Sequence, residues 1–544
     1  MHADLLFTGG PVLTPEGRTA TAVAVTGDRI TAVGHTEVHA LAGPRTEVVD
    51  LAGRLLLPGF QDAHVHPVPA GLELSRCDLT RATTAEATVA AVRAYAEARP
   101  EAEWILGGGW SMEAFAGGTP SKELLDAVVP DRPVYLPNRD HHGAWVNSRA
   151  LELAGIDRRT PDPADGRIER DASGEPGGTL QEGAMHLVGR LTPSAGPAER
   201  LAALLDAQRR LHALGITAWQ DALVGDFLGM DDPAPAYLAA VADGSLTARV
   251  VGALWWDRER GAEQIPELVE KRHALSRGGF RAGTVKLMLD GVAENHTAAL
   301  LDPYLDRCGC ATAERGRSFI DPGRLPGYVT ALDALGFQCH FHALGDRAVR
   351  DALDAIEAAR AANGPSDTRP HLAHLQVVHP DDVPRFARLG ATANIQPLWA
   401  AHEPQMDELT IPFLGAERAA RQYPFASLQR SGARLAAGSD WPVSSPDPLQ
   451  GIHVAVNRVE PGRTGPVFVP GERLGLADAL TAYTAGSAHV NHLDGVDGGG
   501  RVAAGALADL VVLDRDPFAG PPEAIAGTTV ARTYVGGACV YTTE

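Results

Sequence analysis

Two hydrophobic rhythms alternate along the chain, and the changes of rhythm divide it into parts. Near the N-terminus, short apolar runs are cut by turn residues. Leu5-Leu6-Phe7-Thr8 meets Gly9-Gly10, and Ala22-Val23-Ala24-Val25 meets Gly27-Asp28. Ile30-Thr31-Ala32-Val33 and Glu47-Val48-Val49-Asp50 follow. Runs of this length between Gly and Asp turns predict the strands of a small antiparallel sheet or sandwich. The C-terminus has the same character, in Leu510-Val511-Val512-Leu513 and in Thr529-Val530-Ala531-Arg532-Thr533-Tyr534-Val535. The two ends, residues 1–57 with 497–544, are expected to form one composite β-sandwich domain.

Between them, apolar strands alternate with amphipathic helices, the pattern of parallel βα units. Strands are predicted at 55–60, 217–220, 248–254, 284–289, 338–342, 371–377, 392–396 and 434–437, with helices such as 201–214 and 348–362 between them. Eight such strands predict an α/β fold, a (β/α)8 TIM barrel over 58–102 and 191–496, with its chemistry at the C-terminal strand ends. The interval between the first two strands is too long for one βα unit. Its Gly- and Pro-rich residues 103–190 predict an inserted α+β subdomain over the barrel mouth.

Polar residues recur where these strands end. The apolar run Leu55-Leu56-Leu57-Pro58-Gly59-Phe60 leads to His64-Val65-His66. In extended backbone, residues two apart share a face, so both imidazoles point one way. They are either metal ligands or two histidines satisfied by neighbours. The fourth strand carries Lys286 with Asp290 at its end, the fifth ends in His340-Phe341-His342, the sixth contains His374, and the eighth leads into Gly438-Ser439-Asp440. Strand ends of a barrel converge, so these residues can share one site. Four histidines, a lysine and an aspartate exceed what one tetrahedral zinc ion needs, and a pair of divalent ions fits the count better. Lys286, costly to bury as a bare charge, is either paired with Asp290 or carboxylated to an anionic bridge between two ions. Asp440 is either a helix N-cap or the acceptor of a proton from metal-activated water.

Composition narrows the function further. Lysine plus arginine number 48 against 68 aspartates and glutamates, a net charge of −20, which argues against a nucleic-acid or anionic-membrane surface. Neither a secretory signal nor a membrane-spanning apolar stretch is legible. The five scattered cysteines, including Cys308-Gly309-Cys310, lack zinc-finger spacing and read as reduced thiols of a cytoplasmic protein.

The run Leu57-Pro58-Gly59-Phe60-Gln61-Asp62-Ala63-His64-Val65-His66 resembles the first-strand motif of the amidohydrolase superfamily. His342-Ala343-Leu344-Gly345-Asp346, Gly438-Ser439-Asp440-Trp441-Pro442-Val443 and Ala508-Asp509-Leu510-Val511-Val512-Leu513 match in the same order. With the inserted segment they resemble amidohydrolase family 3, the branch of YtcJ-like proteins and N-substituted formamide deformylases. The resemblance implies that His64 and His66 bind one divalent ion, most simply zinc, and that His342 and His374 bind a second. It implies carboxylated Lys286 as the bridge and Asp440 as the metal-linked general base. A site with one ion is the other form the family takes. One departure is visible: Ala373 stands before His374, where the family often has Glu.

Within the insert, Gly107-Gly108-Gly109-Trp110 and Arg139-Asp140-His141-His142 resemble substrate-side elements of that branch. His142 either polarises a carbonyl or protonates a leaving amine, or holds the insert together. Trp110 and Trp441 are candidate apolar pocket walls, with core packing the other reading. Glu182 is either a hinge or contact residue or, as the safer reading, a solvated helix start. The expected activity is hydrolysis of an amide-like C–N bond in a small molecule. Rivals are a cyclic amidase, lactonase, deaminase or N-acyl-amino-acid hydrolase on the same scaffold, and a catalytically silent binding protein. A homodimer is a family-level expectation.

Overall fold

A computed structural model describes residues 2–227, 229–495 and 498–543. Eight parallel strands form a nearly closed barrel: β1 (Phe60–Val65), β2 (Ile216–Val224), β3 (Arg249–Trp255), β4 (Phe280–Met288), β5 (Gln338–Ala343), β6 (His371–His374), β7 (Thr392–Ile395) and β8 (Leu435–Ala437). Each pairs with its neighbour in chain order, and β1 pairs with β2. Helices cover the outside, among them Pro197–Ala213 and Asp346–Asn363. The second buries Val349, Ala352, Leu353 and Ile356, three or four residues apart, on one stripe against the barrel.

The seam between β8 and β1 is made just beyond the strands. The backbone N–H of Asp440 donates to the His64 carbonyl at 2.7 Å, and that of His66 to the Trp441 carbonyl at 2.9 Å. Gly438 permits this approach, since a Cβ there would lie 2.7 Å from the Cβ of His64. The contact that completes the barrel thus also sets Asp440 beside both histidines.

The predicted first strand is resolved into two elements. Leu56–Pro58 belongs to the terminal domain, and the barrel strand starts at Phe60. The apolar run has no period of its own to mark the break. Pro58 stops the ladder, and Gly59 fits where a Cβ would meet the Thr217 side chain at 2.4 Å.

The two chain ends share a six-stranded sheet in which Leu56–Pro58 runs antiparallel to Leu510–Leu513, with Leu57 opposite Val511. A four-stranded sheet from the N-terminal residues packs on it, and Phe7, Val23, Leu56, Leu510 and Val512 lie in their common core. The boundary placed at 496/497 falls outside the described residues.

The insert has its own six-stranded sheet, which opens at Cys77–Asp78 rather than after residue 103. Helix Ala85–Ala98 buries Val92 and Ala96 against Ile105 and Trp110 of the insert. In sequence this helix is indistinguishable from a barrel helix, because periodicity shows that a face is buried but not against what. Among the described residues no helix is long and apolar enough to cross a membrane.

Candidate active site at the barrel mouth

His64, Lys286, His342, His374 and Asp440 are brought together at the C-terminal ends of the barrel strands, all buried, with His66 beside them. His64, on β1, points inward. Its Nε2 is 3.2 Å from Asp440 Oδ1, and its Nδ1 is 2.9 Å from Nε2 of His340 on β5. His66 follows β1 and brings Nε2 to 3.1 Å from the same Asp440 oxygen. Asp62 fixes the local backbone: its carboxylate accepts the His64 and Ser439 N–H groups, each at 3.0 Å, and the Ser439 hydroxyl at 2.6 Å.

His374 ends β6, and both of its ring nitrogens are buried without a hydrogen-bond partner, as is Nδ1 of His66. Nitrogens of that kind are costly unless a ligand satisfies them. His64, His374 and Asp440 each offer an atom within 4.8 Å of the others, a set suited to a divalent ion. His342 packs edge-on against His374, with ring centroids 4.4 Å apart, and Trp399 stacks on the other side at 5.3 Å. Burial holds the imidazoles of His342 and His374 well below the usual histidine range, and that of His64 down to about 3 with Lys286 adding to the effect. All three are therefore neutral, the form that coordinates metal. Burial also opposes ionisation of Asp440, but His64 and His66 outweigh it and hold the carboxyl well below its ordinary value.

Lys286 projects from β4, with Nζ 3.4 Å from His64 Nε2. It is not paired with Asp290. That carboxylate accepts the backbone N–H groups of Ala299, Leu344 and Gly345 and lies 3.3 Å from Nδ1 of His342. Burial, opposed only by Asp440, pushes the Lys286 amine down to about 7. Asp440 is not a helix N-cap either, because no helix starts there.

The insert closes the site with His142. Its Nδ1 lies 2.9 Å from Glu182, which also accepts the Thr297 hydroxyl at 2.6 Å. Burial alone would keep His142 neutral, but the Glu182 carboxylate overcomes it and holds the imidazole up at about 9. Glu182 is in turn held down to about 2, against its burial, by His142 and Thr297. The expectation of a solvated helix start at Glu182 is corrected: the residue is fully buried at the end of a strand. Glu182, His374 and Asp440 have φ of +52°, +80° and +56°, left-handed conformations that cluster at functional sites.

The two tryptophans separate. Trp441 lines a cavity of about 530 Å³ next to the histidine pocket. Trp110 is corrected to a core residue: it is fully buried among Phe115 and Trp145, with its indole N–H donated to the Leu136 carbonyl at 2.7 Å. Local sequence gave no sign of His340 as a support for His64, nor of Trp399, Glu403 and Tyr423 as cavity residues. Trp399 and Glu403 share one segment, and His340 and Tyr423 lie on others, so only the fold assembles them.

Residues 47–541 match the model of the amidohydrolase family. This chain belongs to the amidohydrolase family. The amidohydrolase is 31% identical to the putative amidohydrolase YtcJ of Bacillus subtilis, over 99% of this chain and 98% of that one. It is 29% identical to an N-substituted formamide deformylase of Arthrobacter pascens, over 99% and 98%. Among solved structures it resembles an uncharacterized metal-dependent hydrolase from Pyrococcus furiosus, with a TM-score of 0.71 and 26% identity over 94% of this chain and 99% of that one. The amidohydrolase is thus a hydrolase of the metal-dependent kind.

Proposed function

We propose that this amidohydrolase hydrolyses an amide-like C–N bond of a small molecule, using one or two divalent ions held by His64, His66, His342, His374 and Asp440. The observation that carries the reading is His374, with two buried, unpartnered nitrogens facing His64 and Asp440. Neutral imidazoles with a carboxylate suit zinc. The bond type is supported by the likeness to a formamide deformylase, whose name describes C–N cleavage. When bound, the metal supplies Lewis acidity to water and to the scissile carbonyl.

The chain's own residues then have distinct tasks. Asp440, ionised and set between two histidines, takes the proton of the attacking water at Oδ. His142, protonated and clamped through Nδ1 to Glu182, presents Nε2–H to the pocket, where it polarises the carbonyl oxygen and then donates to the leaving nitrogen. The products are a carboxylate and an amine, with the atoms of water divided between them. Lys286 deepens the proposal. An amine with a pKa near 7 has a large neutral fraction at neutral pH, and the neutral form adds to carbon dioxide, giving a carbamate and releasing a proton.

Metal per chain, measured by elemental analysis of protein purified without chelator or metal-binding tag, tests the reading together with an amide panel. Near two ions supports the carboxylated bridge, and near one returns Lys286 to a structural role. Asp440→Asn is expected to lower kcat by roughly 10²–10⁴-fold, the usual share of a general base. Carboxylate release, ring opening and ammonia release separate the amidase from its lactonase and deaminase rivals. Metal-free protein that gains no activity from zinc or manganese would refute the enzyme reading in favour of a binding protein.

A further inference from the structure

The cavity of about 530 Å³ beside the histidine pocket is lined with more acid than base. Among its described lining residues are six carboxylates, Glu73, Asp78, Asp140, Glu294, Glu403 and Glu460, against the single guanidinium of Arg139. Three of the six lie beside a basic side chain. Glu73 lies 3.1 Å from His141, Glu403 3.5 Å from Arg139, and Glu460 2.9 Å from Arg463. Asp78, Asp140 and Glu294 have only uncharged neighbours in hydrogen-bond contact: the Thr80 hydroxyl, the His142 backbone N–H and the Thr410 hydroxyl respectively. Arg139 is itself committed to Glu403 and Gln405.

Independent observations point to a ligand in this space. Tyr423 lines the cavity and is only 2% exposed, yet its hydroxyl has no hydrogen-bond partner among the described residues. Trp441, 8% exposed, is a second aromatic side chain in the cavity lining. Trp399 adds a third aromatic side chain. Aromatic faces next to carboxylates attract organic cations, and the Tyr423 oxygen can accept a hydrogen bond from an ammonium or guanidinium N–H. Burial, with repulsion from neighbouring carboxylates, raises Glu403 to about 7 even with Arg139 beside it, a strain that a bound cation relieves.

The cavity is continuous with the reaction centre. Asp140, Pro442 and Val443 line both it and the smaller pocket of His64, His142 and His374. We propose that this amidohydrolase takes substrates that carry an ammonium or guanidinium group, which sits between Glu294, Asp140, Tyr423 and Trp441 while the bond to be cleaved lies in the histidine pocket. The proposal rests on the hydrolytic reading above and names the substrate class for the same site.

Binding of small probes reads the cavity without turnover. Benzylammonium, benzyl alcohol and benzoate share one ring and differ in charge. Calorimetry at pH 7 on the metal-loaded protein is expected to give benzylammonium at least tenfold tighter binding than benzyl alcohol, with benzoate the weakest. Glu294→Gln is expected to cut the ammonium-over-alcohol ratio at least threefold. Tyr423→Phe, which removes one unpartnered oxygen and leaves the packing intact, is expected to lower the same ratio. Equal affinity for the ammonium and the alcohol, no binding by any probe, or a ratio unmoved in both variants would overturn the proposal. Tightest binding by benzoate would do the same and assign the cavity to an anion held by Arg139. Failure of every amide to be hydrolysed, with the ammonium preference intact, counts against the hydrolytic reading alone.

Discussion

Replacing His374 with leucine is expected to make the metal-free protein more stable and to remove most of the stabilisation that metal brings. The imidazole buries two polar nitrogens with no partner, while its backbone N–H is separately satisfied by Gln396 at 2.7 Å. Each unsatisfied buried polar atom costs about 1–3 kcal/mol. Leucine removes both and nearly conserves the volume, but it loses the stacking on Trp399, worth about 0.5–1.5 kcal/mol. The balance is a gain of roughly 0.5–5.5 kcal/mol for the metal-free state. The positive φ at this position is strained for either residue, so it cancels. In the parent, an ion present at a hundred times its Kd adds about 2.7 kcal/mol to the folded state, and His374→Leu forfeits most of this. Scanning calorimetry of chelated protein, with and without added zinc, is the assay. The variant should melt above the parent without metal and should gain far less than the parent from added zinc. A variant that melts lower in both conditions, or that is stabilised by zinc as much as the parent, would refute the ligand role of His374.

Glu182→Gln keeps the shape at the base of His142 but removes the anion. It is expected to lower kcat by roughly 10²–10⁴-fold with metal content unchanged, as steady-state kinetics beside elemental analysis would show. Bicarbonate should raise the metal content of the parent but not that of Lys286→Met. Indifference of the parent to bicarbonate would dismiss the carbamate. Arg458 is fully buried and donates to the carbonyls of Phe468, Tyr423 and Gln422 at 3.0, 3.1 and 3.3 Å. Arg458→Met strands these carbonyls and should destabilise the fold by roughly 2–5 kcal/mol in denaturant titration, since each unpaired buried acceptor has a substantial cost.

The barrel itself was legible because each of its strands announces itself locally, as an apolar run followed by a polar residue at the strand end. The motif around His64 was legible too, and the predicted strand at 338–342 coincides with β5 but for one residue. What failed was assignment of partners. Trp110 and Trp441 both follow glycine-containing turns at strand ends, yet one is core and the other cavity wall. Glu182 looked solvated because a glutamate before Gly183 reads as a turn, and its partner His142, just before the neighbouring antiparallel strand Gly143–Val146, is 40 residues away.

The sequence by itself determined the secondary structure of the barrel, the joining of the two chain ends, and the kinds of ligand atom delivered to the mouth. These follow from short-range periodicity and from which residue types stand at strand ends. The tertiary structure alone decided that Asp440 meets both His64 and His66 across the seam, that helix Ala85–Ala98 serves the insert, and that unpaired carboxylates gather beside the histidines. Those outcomes depend on which surfaces pack together, and packing is settled by contacts between segments that carry no record of each other in their own local pattern.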